Sequence, residues 1–445
     1  MGEAESMVSK TGFVGVVVAL GVWPGVLVAQ QPLSLGDAVR KAAGAAPAVQ
    51  IAHLQVDAAQ GQVREARAAL LPSLEGTAGW VNRSFNKNSL GINLDFPGVS
   101  IPDLIGPFDT YDARFQVRQT LLDLPGLLHV RSTASAAAAT DAQQDVSEEA
   151  AAQRAAAAYL QAARSRAVVV ARQADIALAR ELVDLAQEQV QACVGTGIDV
   201  TRARTQLVTA QGQEQVAENQ AEQAQIALAR SLGTDPTMRF ALTDSLAGLD
   251  QLAVPSRDSA LAAALHARPE LLAVGAAADA ARQARQSIAS ERLPRLDLLA
   301  DYGLNGPTVG NTIRTGELGV SFTLPLLDGF KREARLTEQD ALIKQAEIHE
   351  ADTRQQVQAD VESALLDLRS GQQQMDIARQ RLDLAQQELQ QARDRFASGV
   401  AGNIEVIDAQ SSLIRARDAD IDARYATALA RVNLAHAVGA TRNIR

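Results

Sequence analysis

Two acidic residues lie three positions apart, directly after a turn that contains two glycines. The stretch SGVAGNIEVIDAQ (398–410) contains Glu405 and Asp408, and the segments on both sides of it have helical periodicity. Residues three apart lie on one face of a helix, so both carboxylates would point the same way. Two roles fit this arrangement: acids favoured at a helix N-terminus by its dipole, or a ring of charge at a constriction.

Other residues that could support chemistry are sparse and scattered. The five histidines and the single cysteine, Cys193, have no metal-ligand spacing, and the sequence contains no hydrolase, metalloprotease, phosphate-loop or dinucleotide-binding motif. We therefore predict neither an enzyme nor a metal or cofactor site. The net charge of −10 argues against a nucleic-acid partner.

An apolar run near the start of the sequence resembles a signal peptide. Lys10 precedes residues 13–29, which are too short and too interrupted by glycine and proline to make a good membrane span. We predict a signal peptide over 1–29, with cleavage after Ala29. No later apolar stretch reaches the length of a spanning helix, so any membrane contact would have to come from strands.

The two halves of the chain repeat one pattern. Pro294 matches Pro72 at an offset of 222, and 403–413 resembles 197–207 at an offset of 206. The difference between these two offsets places about 16 extra residues in the first copy. The stretch 84–110 is rich in Gly, Pro and Asn, which predicts a long loop that holds them.

Each copy is predicted to contain a leading helix, a β-hairpin, a long helix, a tight turn and a shorter helix. An apolar seam with a seven-residue period runs through both long helices, interrupted only at Arg172. At about 1.5 Å per residue, each long helix would measure about 100 Å. The predicted ranges are a first repeat at 30–233 (β-hairpin 74–121, long helix 127–193, helix 199–232), an inter-repeat linker or equatorial region at 234–257, and a second repeat at 258–445 (β-hairpin 294–326, long helix 330–398, helix 405–438).

Four segments within the predicted hairpins alternate apolar and polar residues with a period of two, as outer-membrane strands do. Outside the signal, eight of 13 aromatic residues lie within 80–115 or 302–322, which is typical of an aromatic girdle. Four strands cannot close a barrel, and lipid does not tolerate an open sheet edge, so a membrane-spanning sheet must be shared between chains. The alternatives are soluble β-hairpins packed on the helices, and a fibrous dimer or tether.

Taken in order, these segments resemble the TolC-like outer membrane efflux family over about residues 33–440. The most specific part is 395–439, supported by 194–207 and by the segments LLDLPG (121–126) and PLLDG (325–329). The resemblance implies an α+β membrane protein with an internal two-fold repeat. Three chains would combine a long antiparallel coiled-coil α-helical barrel with a twelve-stranded transmembrane β-barrel, to which each chain contributes four strands.

The resemblance also implies a function. Such proteins are homotrimeric exit ducts in the outer membrane of Gram-negative-type bacteria, where they contact outer-membrane lipid and extend into the periplasm. They passively conduct substrates in tripartite efflux or type I secretion systems, together with a periplasmic adaptor (membrane fusion) protein and an inner-membrane pump of RND, ABC or MFS type. The alternative function is a periplasmic coiled-coil adaptor or structural protein without a channel.

In this family, acids just past the second hairpin turn narrow the periplasmic mouth. The matching residues here are Glu405 and Asp408, with Asp199 as the matching acid of the first copy. The tyrosine and arginine that latch the closed mouth in TolC are replaced by Phe396 and Ala401. The closed mouth of this protein must therefore be held in a different or weaker way.

Adaptor docking in the family uses the hairpin tips, which correspond to 194–198 and 399–403. The tips contain four glycines, which we expect to allow tight turns with positive φ: Gly195, Gly197, Gly399 and Gly402.

Overall fold

Two very long helices, each followed by a shorter one, make up most of the molecule. The computed structural model describes residues 31–90, 102–246 and 255–444. Within these ranges the helices are α1 (Leu35–Ala45), α2 (Pro47–Ala68), α3 (Leu124–Gln191), α4 (Gly197–Ser231), α5 (Arg257–Ala267), α6 (Pro269–Ser290), α7 (Lys331–Ala397) and α8 (Asn403–Ala437). The strands are β1 (Gln31–Leu33), β2 (Ser73–Asn86), β3 (Leu104–Asp123), β4 (Phe240–Leu242), β5 (Arg295–Gly306) and β6 (Ile313–Thr323).

The four arms α3, α4, α7 and α8 begin and end within three residues of the bounds that the sequence pattern predicts. The pattern did not predict α1 and α5, nor the parallel pairing of β1 with β4. Strand β4 lies inside 234–257, the segment predicted to be the inter-repeat linker or equatorial region. The predicted signal peptide at 1–29 lies outside the described residues.

The predicted loop at 84–110 is wrong at both ends. Strand β2 continues to Asn86 and β3 starts at Leu104, and these two residues are paired across the hairpin. Backbone pairing between two long strands does not require alternating side chains. The Gly- and Asn-rich composition therefore suggested a loop where β2 and β3 are in fact paired. Residues 91–101 lie outside the described ranges.

The shorter helices stack end to end on the leading helices. Proline occupies the first turn of α2 and of α6, where its missing N–H costs nothing. Gly233 and Gly439 end α4 and α8 with φ of +68° and +73°. A Cβ on Gly233 would lie 2.6 Å from the Ala45 carbonyl oxygen, and one on Gly439 would lie 2.8 Å from that of Ala267. Only glycine fits where each short helix meets the start of the leading helix of its own repeat.

Alanine-rich seams hold the helices together. The predicted seam of α7 has eleven apolar positions. Leu382 is half-buried and the other ten are buried, so the seven-residue pattern identifies the packed face correctly: Val357, Val361, Ala364, Leu368, Met375, Ala378, Ala385, Leu389, Ala392 and Phe396. Small side chains let the helix axes approach closely. The largest apolar cluster surrounds Tyr159 of α3, whose hydroxyl donates to the Leu33 carbonyl oxygen at 3.1 Å. In the described ranges, no helix combines the length and the apolar character needed to cross a membrane.

Strands β2, β3, β5 and β6 form an antiparallel sheet in the order β2-β3-β5-β6. The register places apolar side chains together on one face, where many are exposed, among them Leu74, Trp80, Phe115, Tyr302, Leu318, Val320 and Phe322. The opposite face is mainly polar. There Arg114 forms ion pairs with Asp112 and Asp301, and the Asn305 amide donates to Asp112 at 2.9 Å.

Candidate functional site

The turns of the two helical hairpins lie side by side. We call α3 with α4 the first hairpin and α7 with α8 the second hairpin. Helix α3 packs against both α4 and α8, so the hairpins contact each other along their length. Close to the turns they share one apolar cluster, which contains Leu182, Val183, Ala186, Ala203, Ala385, Leu389, Ala392, Phe396, Val406, Ala409, Leu413 and Ala416.

Glu405 and Asp408 lie on the exposed side of the first turns of α8. Glu405 forms an ion pair with Arg395 at 3.1 Å, and both side chains are about half exposed. Asp408 is exposed and has no hydrogen bond or ion pair with any residue in the described ranges. Its charge is therefore free to act on ions in solution, whereas Arg395 partly neutralises the charge of Glu405.

Asp199 caps the first turn of α4. Its carboxylate accepts hydrogen bonds from the backbone N–H of Thr196 at 3.2 Å and from the Thr196 hydroxyl at 2.5 Å. The Arg202 guanidinium lies 4.0 Å away. The side chain of Asp199 is only 15% exposed, so its geometry is that of a capping residue and it presents less free charge than Asp408.

Phe396 and Ala401, which stand where TolC has its latching tyrosine and arginine, have structural roles. Phe396 is buried in the shared apolar cluster, with 2% of its surface exposed. Ala401 is half-buried and donates its N–H to the Arg395 carbonyl oxygen at 3.3 Å. Neither side chain can form a hydrogen bond or an ion pair between the hairpins.

The expectation that all four tip glycines adopt positive φ is correct only for Gly399, at +71°. Gly197 is the first residue of α4, and Gly402 caps α8 with φ of −81°. Gly195 serves close packing instead, because a Cβ there would lie 2.9 Å from Cβ of Gln189. In the first hairpin the positive φ, +57°, is adopted by Cys193, which matches Gly399 at the offset of 206.

Matched apolar side chains project from both tips. Val194 and Val400 are each 71% exposed, and Ile198 and Ile404 are also exposed. Each pair is related by the offset of 206, so the two turns present similar apolar surfaces.

Two further residues connect the tips, and sequence reasoning missed them. The Gln189 side-chain amide donates to the Phe396 carbonyl oxygen at 2.5 Å, and the Asn403 amide donates to the Asp199 carbonyl oxygen at 2.8 Å. Both side chains are buried. The apolar pattern marked neither residue, because Gln189 lies beside the seam and Asn403 lies at the very start of α8, and it could not name their partners. In the described part of the chain, no group of three or more His, Cys, Asp or Glu side chains could hold a metal ion.

Comparison with known proteins identifies the family. The sequence profile of the outer membrane efflux protein family matches residues 38–234 and 260–440. Protein CyaE of Bordetella pertussis is 26% identical over 394 residues, covering 86% of this chain and 79% of that protein.

Solved structures share the fold. The outer membrane protein VceC of Vibrio cholerae is 20% identical, with a TM-score of 0.73 over 91% of this chain and 96% of that chain. The CmeC outer membrane channel of Campylobacter jejuni is 16% identical, with a TM-score of 0.76 over 92% of this chain and 86% of that chain. The chain belongs to the outer membrane efflux protein family and is an exit duct of the outer membrane that extends into the periplasm.

Proposed function

We propose that three copies of this chain form one continuous duct, with a twelve-stranded barrel in the outer membrane and a tunnel of long helices in the periplasm. The four-stranded sheet β2-β3-β5-β6 supports this proposal most strongly. One of its faces is apolar and exposed, the other is mainly polar, and its outer strands β2 and β6 each have one partner within the described chain.

An open sheet of this kind cannot be stable in lipid. Unpaired backbone N–H and C=O groups at an edge cost several kcal/mol each in hydrocarbon. Pairing of β6 with β2 of the next copy removes both edges, and three copies of four strands close a barrel wide enough to leave a channel. The apolar face would then contact lipid, and the ionic network around Arg114 would line the water-filled interior.

The two halves of the chain support a wall built from repeated units. Helices α3 and α7 have 68 and 67 residues, and α4 and α8 have 35 residues each. The order helix, strand, strand, long helix, shorter helix occurs in both halves. We propose that these halves are an internal two-fold repeat, so that a trimer presents six similar hairpins around its axis.

We propose that Glu405 and Asp408 form the charged constriction at the periplasmic mouth, with Asp199 in a lesser role. Threefold symmetry would bring together six carboxylates, those of Glu405 and Asp408 from each of three chains, and such a ring attracts cations. The unpaired, exposed side chain of Asp408 supports this role, and the capped geometry of Asp199 gives it a structural role as well.

We further propose that the tips at 194–198 and 399–403 dock a periplasmic adaptor, which connects the duct to an inner-membrane pump of RND, ABC or MFS type. The exposed valine and isoleucine pairs provide apolar surface for that contact. Gly399 allows the turn, Gly195 allows its close packing on Gln189, and Gly197 and Gly402 keep the tip surface free of bulk.

The trimer is tested by extracting the protein from outer-membrane fractions in mild detergent and measuring its mass by light scattering. We expect protein mass close to three times that of one mature chain, where the full sequence is 47.1 kDa. A monomer or dimer recovered from the outer-membrane fraction would contradict the proposed barrel. Recovery in the soluble periplasmic fraction would contradict the membrane sheet itself.

A further inference from the structure

We propose that Gln189 and Asn403 form an uncharged latch that joins the two hairpins of each chain at the mouth of the duct. The inference rests on the proposed trimeric duct, because only there does the separation of hairpin tips set the width of an opening. Gln189 lies near the end of α3, and Asn403 is the first residue of α8.

The two hydrogen bonds cross between the hairpins in opposite directions. Gln189 of the first hairpin donates to the main chain of Phe396 in the second, at 2.5 Å. Asn403 of the second hairpin donates to the main chain of Asp199 in the first, at 2.8 Å. Separating the tips would break both bonds. It would also expose two amide side chains that are 9% and 0% exposed here.

The turn after α3 holds Gln189 in place. Backbone N–H groups of Val194 and Gly195 donate to the Gln189 carbonyl oxygen at 3.0 and 2.9 Å, which folds the turn back onto Gln189. A Cβ at Gly195 would lie 2.9 Å from Cβ of Gln189, so glycine is what lets the turn come this close.

The charged contacts near the turns are less suited to hold the hairpins together. The ion pair between Arg395 and Glu405 lies within the second hairpin and does not connect it to the first. Arg393 and Glu181 do pair between the hairpins, but their side chains are 32% and 60% exposed. Exposed ion pairs contribute little to stability and are screened by salt.

The latch uses main-chain oxygens of Phe396 and Asp199 as acceptors. It therefore tolerates phenylalanine at 396, where the side chain packs in the apolar cluster, and it leaves the carboxylate of Asp199 free to cap α4. Because donors and acceptors are neutral, the latch should not respond to ionic strength. The charges of Glu405 and Asp408 then remain available to act on ions.

The native cysteine allows the effect of the latch on the width of the mouth to be measured. Cys193 is the single cysteine of the chain and lies exposed at the first tip. A spin label there gives one label per chain, so dipolar distances between labels in a trimer report the width of the mouth. The test compares Gln189→Leu, Asn403→Gly and the double variant with wild type, in detergent-solubilised trimers at low and high salt.

Asn403→Gly introduces the residue that Gly197 provides at the matching position of the first hairpin. Two controls accompany these variants. Gln191→Leu makes the same change two residues further along, at an exposed position, and Glu181→Gln removes the exposed ion pair between the hairpins. Size exclusion establishes that each variant remains trimeric.

Each single latch variant should raise the population with long label distances about fivefold, and the double variant up to about 25-fold, since one neutral hydrogen bond is lost in each. The controls should match wild type, and salt should not change the wild-type distances. Trimeric latch variants with wild-type distances, or a larger effect from Glu181→Gln, would overturn the latch while leaving the duct intact. Absence of dipolar coupling between labels in wild type would overturn the trimer and the latch together.

Discussion

At the residue scale, the two turns adopt the same left-handed backbone conformation with different residues. Gly399 adopts φ of +71°, which glycine does at no steric cost, whereas Cys193 adopts +57° at the matching position. A side chain in this left-handed region brings Cβ close to the following carbonyl oxygen and costs about 1–2 kcal/mol. The first tip is therefore strained where the second is not.

Cys193→Gly should relieve that strain and stabilise the protein by about 0.5–1 kcal/mol, after allowing for the greater freedom of glycine in the unfolded chain. Gly399→Ala is the matched reverse change. A Cβ at Gly399 would have no heavy atom within 4 Å, so any loss reflects the backbone alone. The midpoint of denaturant unfolding, followed by circular dichroism, should rise for Cys193→Gly and fall for Gly399→Ala. Midpoints that shift in the same direction would contradict the strain argument.

The sequence could point to Glu405 and Asp408 as candidates, because two acids after a turn are visible without coordinates, and their role at the mouth stays a prediction. It could not identify Gln189 and Asn403. A neutral amide in a helix gains its role from the carbonyl that faces it across another hairpin, and that partner is more than 200 positions away. It also could not show that Asp199 caps its own helix while Asp408 has no partner in the described ranges.

At the scale of elements, the seam residue that breaks the apolar pattern has a clear function. Arg172 of α3 forms ion pairs with Asp175, at 2.8 Å, and with Asp418 of α8. Arg417 of α8 reaches the other oxygen of Asp175 at 2.7 Å. The four side chains form one cluster between the hairpins, which fixes the register of α3 against α8. The interruption of the seam marked a contact between elements, although the sequence did not reveal with which helix.

Burial raises the pKa of Asp175, and the guanidinium groups of Arg417 and Arg172 oppose that rise in part. A raised pKa means that the folded chain holds the proton more tightly than the unfolded chain does. The contribution of this shift to stability is therefore present at low pH and is lost as pH rises through the raised value. The other charges of the cluster keep Asp175 in place when it is ionised.

Asp175→Ala should destabilise the protein by about 3 kcal/mol, because it leaves two buried or partly buried guanidinium groups without their shared acceptor. Asp422→Asn is the matched control. Asp422 also connects α8 to α3, through Arg164 at 2.6 Å, but its side chain is 54% exposed, and we expect a loss below about 1 kcal/mol. Thermal unfolding of the two purified variants compares them, and equal losses would show that burial of the cluster does not matter.

The elements differ in how well their sequences specify them. The long arms are predictable because a seven-residue apolar pattern sustained over tens of residues is typical of paired long helices and of little else. Helices α1 and α5 have 11 residues each, too few for a comparable signal. The β1–β4 pair has three residues in each strand and joins parts of the chain about 200 positions apart. Local patterns contain no information about such pairing.

At the scale of the whole molecule, one chain by itself leaves surfaces exposed that need a partner. Its sheet has two outer edges, its apolar sheet face is exposed, and its long helices reach far beyond the sheet. The requirement for closure follows from the chemistry of backbone groups in lipid, so the shared barrel stays a prediction that the sequence alone already supports. The coordinates add the strand order and the separation of polar from apolar faces.

We propose that this chain assembles into an ion-conducting duct whose mouth is lined by Glu405 and Asp408. The most direct measurement is the reversal potential of the purified protein in a planar bilayer under a salt gradient. Wild type should conduct with a preference for cations. The double variant Glu405→Gln with Asp408→Asn should shift the reversal potential toward zero, because the ring of carboxylates is lost while side-chain size is kept.

Asp258→Asn is the control for this measurement. Asp258 is an exposed acid on α5, which packs on α7 and belongs to the apolar cluster away from the turns, so its loss should leave the selectivity unchanged. Cation preference that falls in the double variant and persists in the control is the predicted result. A purified protein that does not conduct would contradict the duct, and unchanged selectivity in the double variant would contradict the charged mouth.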